Sequence, residues 1–217
     1  ITTQTVRAIM NKLGVGMDGP LTDFERAAAA AGRLDVVIVA AGYWKRDEPL
    51  VFNPDEFRKH VETNLLGLSN VLEVTLPHLK LANKGQVVVL SSVAGYRGMP
   101  GSLGYGATKA AQINLFEALR ATFYKTGIVF QTVSPGFVET PMTSTNTFPM
   151  PFLISSEVAA KHIRRGLESS KPEIVFPWQM ATAMKNSHFA ILRAPPATPV
   201  KPKKPATSEM MKKISAH

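Results

Sequence analysis

Tyr105 and Lys109 stand four residues apart in the stretch GQVVVLSSVAGYRGMPGSLGYGATK, residues 85–109. On a helix that spacing puts both side chains on one face, a turn apart. A phenol beside an ammonium is a proton donor whose strength can be tuned. The cation favours the phenolate and is expected to lower the tyrosine pKa from about 10 toward neutral pH. Ser92 lies thirteen residues before Tyr105. It can present a hydroxyl to the same substrate oxygen if the chain folds back between them.

The elements that would position these groups are legible on either side. Val87-Val88-Val89-Leu90 is a continuous apolar, mostly β-branched run ending in Ser91-Ser92, the pattern of a buried parallel strand. A Gly/Pro-rich loop follows, and the spacing predicts a helix opening near Tyr105. Tyr-x-x-x-Lys alone is a short motif. Its weight comes from the serine spacing and the preceding strand. Together these residues closely resemble the active-site segment of the short-chain dehydrogenases/reductases.

The resemblance implies a fold class: α/β, a doubly wound parallel sheet in a Rossmann-like three-layer arrangement. It implies NAD(P)-dependent interconversion of a carbonyl and an alcohol, with NAD or NADP as cofactor. Tyr105 would be the general acid or base. Lys109 would tune it and hold the nicotinamide ribose, and Ser92 would polarise the substrate oxygen. Asn64, in Asn64-Leu65-Leu66-Gly67, matches the family asparagine that holds a water relaying protons to the lysine. Val39-Ala40-Ala41-Gly42 stands where the family usually has Asn-Asn-Ala-Gly, so Ala40, Ala41 and Gly42 would line the cofactor without the two asparagines. Pro135, Gly136, Val138 and Thr140 follow the strand Ile128–Val133 and resemble the family segment that contacts the nicotinamide carboxamide. Ala94, Tyr96 and Met99, near the active-site loop, would face substrate. With Arg97 and a Met/Phe-rich segment over 142–154, they hint at a lipophilic compound.

Periodicity supplies the remaining elements. Val6, Ile9, Met10 and Leu13 share a helical face. Val15–Met17 can form a strand, and Thr22 or Asp23 can cap a helix running to Gly32. Leu34–Val39 reads as another buried strand, closing on Ala40-Ala41-Gly42. A long helix from Pro54 to about Leu81, capped by Asn53, would turn Phe57, Val61, Leu65, Leu68, Leu72 and Leu76 inward, with Pro77 kinking or ending it. The helix opening near Tyr105 would continue through Ala107, Ala110, Ala111, Leu115, Leu119 and Phe123, its small residues suiting close helix packing, and end near Gly127. Ser155 or Ser156 would cap a helix through Ser169 with Val158, Ile163 and Leu167 inward. Glu173–Phe176 would be the last strand. Trp178 to Leu192 would form a final helix that completes the pocket or makes an oligomer contact.

The Gly-rich phosphate motif that opens family members is not found, as if the first two strands were missing. The expectation is an N-terminally truncated domain over 1–192, either a fragment of an ordinary enzyme or a degenerate one. The first strand normally pairs with Val36–Val39, whose edge would then be open. Residues 193–217 would be a basic, solvated tail. They carry Arg193, Lys201, Lys203, Lys204, Lys212 and Lys213 against Glu209, a net +5 of the chain's +9. Charge so confined argues against nucleic acid as a partner.

The 217 residues contain no cysteine, which excludes disulfides and thiolate metal sites and fits a cytoplasmic protein. No metal site and no membrane span are expected. A homodimer or homotetramer, built through the two long helices, follows from the resemblance. Two rivals remain: a non-catalytic oligomerising relative without a dinucleotide grip, and an epimerase or dehydratase of the extended family. Too few residues follow Thr140 for the substrate domain of the latter.

Overall fold

The computed structural model describes residues 34–169 and 171–186. Four strands, β1 (Val36–Val39), β2 (Gly85–Leu90), β3 (Ile128–Pro135) and β4 (Glu173–Phe176), form one parallel sheet in the order β1-β2-β3-β4. Parallel neighbours need crossover connections, and helices supply them. Two helices, α1 (Pro54–His60) and α2 (Gly67–Ala82), are joined by a π-helical turn, Val61–Leu66, and lead from β1 to β2. The third, α3 (Leu103–Thr122), joins β2 to β3, and α4 (Ser156–Leu167) joins β3 to β4. A last helix, α5 (Trp178–Asn186), follows the sheet. The readings made for residues 1–33, 187–192 and the tail lie outside the described residues.

Alternation along β2 divides the core. Val87 and Val89 meet Leu68, Leu72 and Leu79 of α2 and Phe116 of α3 on one face. Val88 and Leu90 meet Ala159 and Ile163 of α4 on the other. All four β2 residues are buried, so the run is apolar without a break, as a strand covered on both sides must be. A third cluster, Val93, Met180, Ala181 and Met184, packs α5 with Tyr96, Met99 and Phe137 on the loops beyond β2 and β3. The final helix therefore walls the site end of the sheet.

The caps fall where expected. Asn53 accepts hydrogen bonds from the backbone N–H groups of Asp55 and Glu56, with Pro54 as the first helical residue. Ser155 accepts from Val158. Several helix faces differ from expectation. The helix runs through Pro77 to Ala82, because the two neighbouring turns bury Thr75 and Leu79 against the sheet and hold it together. Upstream of Leu68 the buried positions are His60 and Asn64 rather than Phe57, Val61 and Leu65. The π turn adds a residue to the helical repeat and so rotates α1 relative to α2. On α3 the buried residues are Gly104, Gly106, Thr108, Lys109, Gln112 and Phe116, whereas Ala107 and Ala110 are exposed. The helix ends at Thr122, short of Gly127. Val158 is exposed, and Ala159 takes its place in the core.

Among the described residues no helix is long and apolar enough to cross a membrane. Phe116 anchors the α3 side of the core. It is fully buried and packs edge-on to Phe130 at 5.9 Å. Phe116→Ala is expected to cost about 3–5 kcal/mol of stability, read as a lowered denaturation midpoint in urea.

Candidate active site

The carboxyl end of β2, the loop after β1 and the first turns of α3 meet at Lys109. Its Nζ donates to the carbonyl oxygen of Leu90, the last residue of β2, at 2.7 Å and to Oε1 of Gln112 at 3.1 Å. Its own carbonyl accepts from Ser91 Oγ at 2.9 Å, so strand end and helix are tied in both directions. The loop after β2 approaches α3 closely at Gly95, where a Cβ would lie 2.7 Å from the Lys109 carbonyl carbon. Only glycine permits that contact.

Tyr105 sits one turn before Lys109, whose Nζ lies 5.5 Å from the phenol ring centroid. Trp44 packs edge-on against the ring at 5.0 Å and His60 stands at 6.4 Å. Burial pushes the Tyr105 pKa up, and the Ser92 hydroxyl, its hydrogen-bonding neighbour, partly opposes the shift. This corrects the expectation of a lowered phenol pKa. Desolvation is the larger effect on the phenol, and burial also pushes the Lys109 pKa down, to about 7. Ser92 is held between its own loop and the end of β3: Oγ accepts from Ala94 N–H at 3.1 Å and donates to the Pro135 carbonyl at 3.4 Å.

Asn64 is buried in the π turn. Its Oδ1 accepts from Tyr43 N–H at 2.6 Å, and Nδ2 donates to the Tyr43 carbonyl at 3.1 Å and to Thr108 Oγ1 at 3.0 Å. The side chain thus staples the loop after β1 to α3. His60 Nε2 accepts from Lys45 N–H at 3.3 Å while Nδ1 faces the Glu56 carbonyl at 2.7 Å. An acceptor opposite Nδ1 and a donor opposite Nε2 define the neutral ring with its proton on Nδ1.

The family model described as short chain dehydrogenase matches residues 21–149, the segment that holds Asn64, Ser92, Tyr105 and Lys109. The chain belongs to the short-chain dehydrogenase family. An "uncharacterized oxidoreductase" of Myxococcus xanthus is 34% identical over 164 residues, 76% of this chain and 65% of that protein. The 3-oxoacyl-[acyl-carrier-protein] reductase FabG of Thermotoga maritima is 34% identical over 120 residues, 55% of this chain and 48% of its own. The chain spans about half to two-thirds of the length of these curated relatives. In fold it is similar to a short chain dehydrogenase from Burkholderia cenocepacia solved in complex with NADP. The TM-score is 0.70 at 24% identity, covering 82% of this chain and 77% of that one. The parallel sheet with helices on both faces is the Rossmann-like fold of such dehydrogenases.

In this member of the short-chain dehydrogenase family the remaining expected residues divide. Ala40 packs against the α4-side core, Ala41 is exposed, and Gly42 faces Lys109. Gly136 N–H donates to the Phe176 carbonyl at 2.8 Å. Val138 is buried and bridges to Ile154, and its carbonyl accepts from Thr143 Oγ1 at 2.6 Å. The Thr140 hydroxyl lies 3.3 Å from that of Thr143, within its own turn. Ala94 is buried beside Ser92 and Met99 is half-buried. Tyr96 turns away from Tyr105: its hydroxyl donates to Glu173 Oε1 at 2.5 Å, and Lys185 lies over its ring at 4.6 Å. Arg97 is exposed.

Sequence reasoning missed Tyr43, Trp44, His60 and Gln112. Gln112 had a signal, since three residues after Lys109 it shares the lysine's helical face. The depressed lysine also couples to stability. Between about pH 7 and the unfolded value near 10.5, the unfolded chain binds the proton and the folded one does not, so this residue's contribution to stability rises with pH. Lys109→Met should therefore be stabilising relative to the parent at pH 6, with the gap closing toward pH 10. Urea unfolding at several pH values measures it.

Proposed function

We propose that this chain carries the catalytic half of an NAD(P)-dependent oxidoreductase interconverting a carbonyl and an alcohol. The observation that carries the reading is the buried ammonium of Lys109 one turn from Tyr105. Burial pushes its pKa down, and among the described residues its hydrogen bonds go to neutral acceptors. Such a group has a donor to spare for a ligand oxygen. Gly42 leaves the approach open, since a Cβ there would lie 3.8 Å from Nζ and 3.9 Å from Asn64 Oδ1. The residues therefore fit the nicotinamide end of a dinucleotide, with Gly42 and Lys109 against the ribose and the backbone after β3 beside the ring. The Burkholderia relative in fold was solved with NADP, which supports the cofactor class.

When bound, the nicotinamide supplies or takes the hydride. Tyr105 gives its proton to the carbonyl oxygen in reduction and takes one from the alcohol in oxidation. Its raised pKa keeps the phenol protonated at neutral pH, the form that reduction needs. Ser92 polarises the same oxygen. Lys109 orients the ribose, and its charge, strengthened when a ligand oxygen accepts from it, lowers the cost of the phenolate. Asn64 keeps the loop after β1 against α3. Trp44, packed on Tyr105, and Phe148, under the Arg46 guanidinium at 4.9 Å, provide an aromatic wall for a lipophilic substrate. A homodimer or homotetramer and a cytoplasmic location complete the proposal.

Two measurements test it. Titration of NADH and NADPH, followed by tryptophan quenching, should give micromolar binding in the full protein. Absence of binding there would favour the non-catalytic relative. In that protein Tyr105→Phe should leave less than about a tenth of the turnover. Undiminished turnover would remove Tyr105 from the chemistry.

A further inference from the structure

Gln112 is a buried amide, only 1% exposed, with both ends spent on the site. Oε1 accepts from Lys109 Nζ at 3.1 Å, and Nε2 donates to the backbone carbonyl of Asn64 at 2.6 Å. Nothing in the packing of α3 on the sheet requires a polar group here. Phe116, one turn on, is apolar and buried. A buried amide left half-satisfied would destabilise the helix junction, so its two partners define why it is tolerated.

We propose that Gln112 is a positioning residue that clamps Lys109 to the π turn and stands where a water would otherwise join the Asn64 carbonyl to the lysine. The inference rests on the reading of Lys109 given above. It departs from the expectation that Asn64 supports a water relay. A water passes a proton by giving one and taking another, and a glutamine amide at neutral pH does not. Protons reaching Lys109 then come from its open side, which faces Gly42, and the amide fixes how much charge the lysine carries. The groups facing Lys109 are few. Tyr105 lies on its own helix, the Leu90 carbonyl on β2, Asn64 on the π turn and Gly42 on the loop after β1. Neutral His60 stands behind Tyr105 on α1. Among the described residues no carboxylate pairs with Lys109, and Glu56 is engaged by Lys45, Lys59 and Tyr43.

The test is a nitrogen-15 NMR titration of the Lys109 side chain in the full protein, the signal assigned by its loss in Lys109→Met. Gln112→Glu sets a carboxylate beside the ammonium and should raise the titration midpoint by about one pH unit or more. Gln112→Met removes the acceptor and should lower it. The pH profile of kcat should move in the same two directions. A Lys109 midpoint unchanged in whichever variants fold, as judged by circular dichroism, overturns the proposal. The titration needs no turnover, so the two readings separate. Shifted midpoints in a protein that reduces no carbonyl would support Gln112's role and sink the proposed reaction. Turnover with an unmoved lysine would do the reverse.

Discussion

An ammonium taken out of water with no carboxylate among the described residues to meet it is the constraint on which this structure depends. Desolvation of a lysine costs several kcal/mol unless neutral acceptors are placed around it. Here they come from two elements, the last carbonyl of β2 and an amide on α3. Neither can shift alone, because Ser91 binds the backbone of Lys109 and Gly95 lets the following loop rest on the same turn. The strand end, the loop and the helix start are therefore one rigid piece. Tyr105, one turn earlier on the same helix, inherits its place from that piece.

Much of this was legible in the residues. Apolar, mostly β-branched runs located the four described strands; the run is unbroken in β2, whose two faces are both covered, while β3 also carries the buried Gln131 and Thr132. Asn53-Pro54 and Ser155 marked helix starts because caps act locally. The helix faces were harder. A period of 3.6 assumes one unbroken helix, and the π turn changes the phase at Asn64. Phe57, Val61 and Leu65 thus looked inward when His60 and Asn64 are. On α3, small residues misled in another way: Ala107 and Ala110 are apolar enough for a core, yet the polar Thr108, Lys109 and Gln112 are buried because they serve one another. The sign of the Tyr105 shift was also out of reach. It depends on how much water the fold removes, which spacing does not reveal.

The outer wall follows a different economy. Glu173 accepts from Tyr96 and Ser134 and pairs with Lys185 of α5 at 3.3 Å. Burial alone would raise this carboxyl, but those partners more than offset it and hold its pKa below the usual value. Tyr96 is pushed the other way, by burial and by the same hydrogen bond. The loop beyond β2 is thereby moored to the last strand and last helix, and Met180 and Met184 fill the space beneath. Flexible methionines suit a wall that must seal against loops of irregular shape.

The π turn gives one continuous rod two independent bearings. Its Gly67 N–H reaches back five residues to the Glu62 carbonyl, and that wider coil turns His60 and Asn64 toward α3 while Leu68, Leu72 and Leu79 still grip the sheet. Each half can then accumulate substitutions without disturbing the aim of the other. A lineage could remodel what the site accepts while its scaffold stays put, provided the length of that single coil is preserved.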